Sequence, residues 1–301
     1  MKIAVNGRIC EDKEAVISVY DHGFLYGMGL FETFRTYGGR PFLLEAHLRR
    51  LAAGCGELGI RYVPDAALLG ALIAELLEKN GLADAYVRLS VSAGVDVLGL
   101  PAGDYEEPTV IVYMKPLPPR DERVYAEGKP IQLLELRRNS PDAGSVRFKS
   151  FHYMNNVLAK REMRRYDWAS GAEGVFLDEH GHVAEGIVSN VFWARDGVLY
   201  TPSLETGILP GITREFAMKL ARESGLPVKE GLFGWPELLD ADEAFVTNSV
   251  QEIVPVARAF EPSGIEIRFE RSGGAPGPIT RRLTAEYAAA VGRLGDNRRR
   301  G

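Results

Sequence analysis

Residues 146–156 read VRFKSFHYMNN, and the way Lys149 is understood decides how the whole chain is read. A lysine is ordinarily a solvated surface group. This one stands between Phe148 and Phe151, just ahead of Tyr153. An apolar setting disfavours the ammonium form, which suits a lysine that must attack a carbonyl carbon as the free amine, and a nearby tyrosine hydroxyl can steer a bound ring. The residues that follow, NNVLAKREMRRYD, have helical periodicity with a basic outer face, so the lysine is expected immediately before a helix.

Working outward toward the start, YVRLSVSAG and TVIVYM are β-rich runs, and the cluster Pro116, Pro118 and Pro119 places a domain boundary near residue 118. Before them, EAHLRRLAAGCGELG sets Leu48, Leu51, Ala52, Cys55 and Leu58 at helical spacing, and ALLGALIAELLEKN repeats the pattern until Gly81 stops it. The opening KIAVNGRI predicts strand, Asn-Gly turn and strand, with AVISVY continuing the meander. In the second half IQLLEL begins the β-structure. GVFLDEHGHVAEG and NVFWARDGVLYTP read as strand pairs turning at His180-Gly181 and Asp196-Gly197. GITREFAMKLARESG predicts a helix closed by Gly225, EAFVTNSVQEIVPV a further strand and turn, and TRRLTAEYAAAVGRL a last helix with Leu283 and Val291 inward. The pattern is mixed α and β, an α+β chain of two domains, residues 1–118 and 119–301, without a solenoid repeat.

Composition narrows the function. With 26% charged and 46% hydrophobic residues the chain matches ordinary soluble usage. A net charge of −5 argues against a nucleic acid or an anionic membrane held by bulk electrostatics, and the basic run Arg298–Arg300 reads as a frayed, solvated terminus. Cys10 and Cys55 make no disulfide framework, and no Cys/His spacing suggests a metal site. The start lacks an apolar export region and no run is apolar enough to span a bilayer, so a cytoplasmic protein is expected.

Three further segments carry polar or small residues where packing does not ask for them. In VAEGIVSN, Glu185 follows strand residues directly and precedes Gly186; alone it is an ordinary turn glutamate, but its carboxylate can also pair with a protonated ring nitrogen. In GILPGITREF, Pro210-Gly211 turns the chain and Ile212 and Thr213 open a helix whose free N–H groups can receive a phosphate. In VTNSVQEI, Thr247, Asn248 and Ser249 end a strand and can donate to the same group. No Walker loop or GxGxxG accompanies them, which disfavours a nucleotide as the phosphate carrier. A lysine, a carboxylate and a phosphate-accepting helix terminus together suggest pyridoxal 5'-phosphate.

The chain also resembles the class IV pyridoxal-phosphate enzymes of fold type IV, the group of branched-chain aminotransferases, D-amino-acid aminotransferases and 4-amino-4-deoxychorismate lyases. The resemblance runs from VNGRI through YDHGFLYGMGLFETFR, HLRRL, KSFHYMNN, AEGIVSNVFW, LYTPSLETGILPGITR and ADEAFVTNSVQEIVPV, about residues 4–256 in order. It implies Lys149 as the Schiff-base lysine and proton shuttle, Glu185 as partner of the pyridine nitrogen and Tyr153 at the ring hydroxyl. It implies Arg50, Ile212, Thr213 and Ser249 at the phosphate. It also implies a small N-terminal and a larger C-terminal domain with the cofactor in the cleft between them, and a homodimer whose second subunit completes the site through Tyr20 to Leu30. One departure is Met28, where the family commonly has an acidic residue.

Within that group the likeness favours the bacterial lyases, in HYxNN, NVFW, TPSLETGIL and TNSVQEIVP. VRLSVSAGVDVLGLPAGD lacks the Arg-x-His pair of the best-known D-amino-acid aminotransferases. The expected reaction is release of 4-aminobenzoate and pyruvate in folate synthesis, with a class IV aminotransferase of D-amino or branched-chain L-amino acids as the alternative. A dicarboxylate substrate needs cationic partners: Arg88 on a strand, Arg147 two residues before Lys149 and so on the same face if the segment is extended, and His152.

Overall fold

In a computed structural model, residues 1–141, 147–269 and 276–296 are described; the basic run Arg298–Arg300 lies outside them. The chain forms two compact units. The first comprises Met1–Pro118, Phe148–His152 and the chain from Val291. Its sheet is built from β1 (Lys2–Val5), β2 (Arg8–Glu11), β3 (Gly29–Tyr37), β4 (Arg40–Pro41), β5 (Ala85–Ser92) and β6 (Thr109–Pro116), in the order β2-β1-β6-β5-β3-β4. Every pairing is antiparallel. The β1–β2 turn takes Asn6 and Gly7 at φ 48° and 77°, the two left-handed positions that make Asn-Gly the favoured pair in a tight hairpin.

A short helix, α1 (His22–Tyr26), is capped by Asp21, and α2 (Leu44–Glu57) and α3 (Ala66–Asn80) supply the core of this unit. The Asp65 carboxylate accepts the N–H groups of Ala67 and Leu68, and Gly81 at φ 65° closes the C-terminus of α3. Leu48, Leu51 and Cys55 of α2 and Leu69, Ile73 and Leu76 of α3 pack with Phe34, Val87, Leu89 and Val91 of the sheet. Within the expected apolar stripe of α2, Leu58 is only partly buried and Gly54 takes a core position. AVISVY departs from expectation: it forms no strand, and Val16, Val19 and Tyr20 are exposed. Strand-forming residues need a sheet neighbour, and none is paired with them among the described residues.

The lysine segment groups with this first unit although it follows the proposed boundary in sequence. The reason is hydrogen bonding along β3. Phe31 N–H donates to Lys149 O (2.8 Å), Phe151 N–H donates to Gly29 O (2.9 Å), and Ser150 bridges Leu30 in antiparallel register.

The second unit comprises Pro119–Arg147 and Tyr153–Ala290. Its nine-stranded sheet contains β7 (Lys129–Leu133), β8 (Glu173–Leu177), β9 (Val183–Gly186), β10 (Asn190–Arg195), β11 (Val198–Pro202), β12 (Val228–Gly231), β13 (Glu243–Asn248), β14 (Glu252–Phe260) and β15 (Glu266–Arg268). The order is β12-β11-β10-β13-β14-β7-β8-β9, with β15 beside β14. The pairs β11–β12, β7–β14 and β7–β8 are parallel. Helices α4 (Glu122–Glu127), α5 (Met154–Glu162), α6 (Ile212–Glu223) and α7 (Trp235–Leu239) belong to it, as does α8 (Pro278–Asp296) up to Ala290. Apolar cores flank the sheet, which explains the unbroken run GVFL. Val175 and Leu177 pack with Trp193, Trp235 and Leu238, whereas Phe176 packs with Ala159, Tyr166 and Ile208. In α8 Thr280, Leu283 and Tyr287 are buried; Val291 is only half-buried.

Candidate active site

The first unit carries one set of functional groups. The Lys149 ammonium nitrogen lies 4.6 Å from the centroid of the Phe31 ring, and the Arg88 guanidinium lies 3.6 Å from the same centroid. Register explains the second contact: Thr33 pairs with Arg88 and Phe31 with Ser90, so Phe31 and Arg88 project from one sheet face. Arg88 Nε also donates to Ser90 Oγ (3.1 Å). The ring therefore gathers two cations beside an aromatic surface.

The side chain next to Phe31 in sequence, Glu32, points the other way, toward α2. Its carboxylate is 1% exposed and accepts from Arg50 Nε (2.8 Å), Arg50 Nη2 (2.6 Å) and His47 Nδ1 (2.7 Å). His47 and Arg50 meet it together because residues three apart share a helix face. Burial works against ionisation of Glu32, but the Arg50 charge and the hydrogen bonds from His47 and Arg50 outweigh it and hold the carboxyl at about 2. Burial, aided by the Arg50 and Lys149 charges, pushes His47 below its ordinary value against the pull of Glu32. His47 is thus a neutral donor, and Arg50 is the cation fixed by the bidentate pair.

The second unit carries the other set. Glu185, at the end of β9, is buried; Oε1 accepts from Arg138 Nε (2.8 Å), and Oε2 accepts from Leu209 N–H (3.0 Å) and Asn190 Nδ2 (3.4 Å). Helix α6 begins at Ile212 as the turn predicts, with Gly211 at the cap position and no side-chain cap. Its first N–H groups therefore face outward along the helix axis as an anion receptor. Thr213 Oγ1 lies 3.1 Å from Ser249 Oγ, so the GITR and TNS segments converge. Thr247 Oγ1, on the strand that pairs with Asn190, is buried without a hydrogen-bond partner. A Cβ at Gly211 would overlap Asn190 Oδ1. A glycine at the cap position, two converging hydroxyls and an uncapped helix terminus fit a phosphate monoester, and Lys149 fits an aldehyde.

The remaining expected residues are placed as follows. Tyr153 occupies the N-cap position of α5. His152 is exposed, with Nε2 3.2 Å from Tyr26 O. Arg147 is buried, and its guanidinium donates to the main-chain carbonyls of Gly207 and Asn139 and to Asn139 Oδ1. The expected strand alternation does not apply, because Arg147–Lys149 is not a regular strand. Met28 packs against the apolar core of the first unit. The sequence reading passed over Glu32, His47 and Arg138. A signal existed for the first pair: a glutamate in the apolar run LFETF and a His-x-x-Arg spacing on the following helix. Arg138 gave none, standing in a polar run, RRNS, that reads as loop.

The fold and these groups define an enzyme. The family model for amino-transferase class IV matches residues 29–259, and the chain belongs to that family, with the α+β architecture of fold type IV. Among its relatives, the aminodeoxychorismate lyase of Bacillus subtilis (strain 168) is 47% identical over 261 residues, 86% of this chain and 87% of the relative. The structure of 4-amino-4-deoxychorismate lyase from Pseudomonas aeruginosa matches with a TM-score of 0.78 and 31% identity, covering 94% of this chain and 97% of the other. A T.th. branched-chain amino acid aminotransferase, solved with pyridoxamine 5'-phosphate, matches with a TM-score of 0.81 and 29% identity, covering 96% and 93%. No helix among the described residues is long and apolar enough to cross a membrane.

Proposed function

We propose that this chain is a pyridoxal-phosphate-dependent 4-amino-4-deoxychorismate lyase that releases 4-aminobenzoate and pyruvate. The observation that carries the reading is the 47% identity to a lyase over most of both chains. Lys149 would carry the cofactor's aldehyde carbon, Glu185 would pair with the pyridine nitrogen and Tyr153 with the ring hydroxyl. Arg50, the N–H groups of Ile212 and Thr213, and the Ser249 hydroxyl would hold the phosphate. When bound, pyridoxal phosphate supplies an electron sink for the carbon that loses its proton.

The chain's own residues do the rest. Lys149 Nζ, as the free amine, would take the proton from the ring carbon that bears the substrate's amine. A proton must also reach the methylene carbon of the departing enolpyruvyl group so that it leaves as pyruvate, and Lys149 Nζ returns it. Arg88, beside Phe31 and Lys149, is the partner for a substrate carboxylate; Arg147 holds the Gly207 and Asn139 carbonyls, and His152 stays at the margin.

The working form is a cytoplasmic homodimer. Its support is an apolar surface on the first unit, where the segment of Val19, Tyr20 and Phe24 adjoins that of Val95, Val97 and Leu98 and all six are exposed. An Asp21–Val95 bridge and a His22–Val97 hydrogen bond join these two segments.

The test uses purified protein loaded with pyridoxal phosphate. Release of 4-aminobenzoate from enzymatically generated aminodeoxychorismate, with little conversion to pyridoxamine phosphate by D- or L-amino acids, is the expected result. Rapid conversion by one enantiomer without release would make the chain an aminotransferase, the reading favoured by its likeness to the branched-chain enzyme. Lys149→Ala is expected to abolish turnover and the borohydride-sensitive visible band; steady activity in that variant would show the lysine misassigned.

A further inference from the structure

We infer that Arg138 is a positioning residue for Glu185, held in turn by Asn155 and Asn156 of α5; the inference rests on the proposed pairing of Glu185 with the cofactor ring. Arg138 and Glu185 are 7% and 5% exposed. Arg138 Nε meets Glu185 Oε1 at 2.8 Å, while Nη1 is shared among the side-chain oxygens of Asn155 (2.7 Å), Asn139 (3.2 Å) and Asn156 (3.3 Å). The rest of the residue is equally fixed: its N–H donates to Leu177 O (2.8 Å), and its guanidinium lies 5.3 Å from the Phe176 ring centroid.

The asparagines are themselves oriented. Asn156 Nδ2 donates to Ile187 O (2.6 Å) and Asn155 Nδ2 to Arg137 O (3.0 Å), so each presents its oxygen, not its amide nitrogen, to the arginine. That order of donors has a consequence for Glu185. One carboxylate oxygen is gripped by a charge and the other by two neutral donors, Leu209 N–H and Asn190 Nδ2, so the plane of the carboxylate cannot turn without breaking one side. Arg138 also supplies the positive charge that a buried carboxylate needs. A lysine at this position could not bond Glu185 and three asparagine oxygens at once, because it lacks the guanidinium fork. The Asn-Asn pair of α5 thus links the start of that helix to the carboxylate through one side chain.

The experiment is an equilibrium titration of cofactor-free protein with pyridoxal phosphate, read by the visible absorption of the bound cofactor. It compares wild type, Arg138→Gln, Glu185→Gln, the double variant, Arg138→Lys and Asn155→Ala, with thermal melts of each cofactor-free protein alongside. Arg138→Gln is expected to weaken binding by about tenfold or more and to move the absorption maximum, and the double variant to bind no more weakly than Glu185→Gln alone. A purely structural arginine would lower the melting temperature and leave the absorption maximum in place, and its effect on affinity would add to that of Glu185→Gln; that result overturns the inference.

Should Arg138→Gln fail to fold, Arg138→Lys and Asn155→Ala, which keep a positive charge at position 138, decide the matter. Wild-type affinity and spectrum in both overturn the proposal, and weakened binding with a moved maximum in either supports it. Glu185→Gln without effect removes the assumed role of Glu185 and this inference with it. A wild type that takes up no pyridoxal phosphate identifies the cofactor reading as the error and overturns both.

Discussion

Glu32→Gln is the perturbation whose size the structure fixes most closely. The carboxyl is held at about 2 against an ordinary 4.5. At about 1.4 kcal/mol per unit, a difference of roughly 2.5 units amounts to about 3 kcal/mol of stability at neutral pH. The sign follows from the direction of the shift. The folded carboxyl binds its proton less readily than the unfolded one, so the contribution is complete above the unfolded value and is lost as pH falls from 4.5 toward 2. Glutamine preserves volume but turns an amide NH2 toward Arg50 or His47, leaving a buried donor facing donors. Urea unfolding of cofactor-free wild type and variant at pH 7, 5 and 3 measures the gap. The expected loss is about 3 kcal/mol at pH 7, narrowing to roughly half of that at pH 3. A gap under about 1 kcal/mol at pH 7, or one of equal size at every pH, would refute the reasoning.

Two other outcomes are accessible to simple measurements. Gly211→Ala places a methyl group against Asn190, which also contacts Glu185 and Leu209, and should weaken pyridoxal-phosphate binding by about tenfold or more; unchanged affinity would mean the cradle has room to spare. Burial pushes the Cys55 thiol up to about 12, so a thiol reagent at pH 8 should label Cys10 in the native protein and reach Cys55 only after denaturant is added. Labelling of both at one rate under native conditions would contradict that.

Much of this molecule was legible in the chain because its signals are local. Asn6-Gly7, Gly81, Asp196-Gly197 and Gly225 adopt the left-handed conformations that their turns and caps require, and α2, α3 and α6 follow apolar spacing, whereas α5 exposes Val157 and Leu158 and buries Asn156 and Glu162. Pro210-Gly211 marked the start of α6 to the residue. What stayed hidden depends on partners distant in sequence. AVISVY carries strand-forming residues with no strand to join, and nothing local says so. Arg147 resembles a free cation in the sequence, but its donors are taken by main-chain carbonyls, one of them at Gly207. Arg138 acquires meaning only when β9 brings Glu185 beside it. Buried charge is assigned by the fold, and periodicity is blind to it.

The Lys149 carbonyl accepts from Phe31 N–H of β3, and two residues on Phe151 N–H donates to Gly29 O of the same strand. In the proposed role this amine would bond a carbon, let go and then ferry a proton, and so would have to travel, yet its α-carbon is moored. All of that travel falls to the flexible methylene arm, whose rotations take picoseconds to nanoseconds, whereas loops and domains need far longer. The exchange between bonded and free amine can therefore proceed without any opening of the polypeptide.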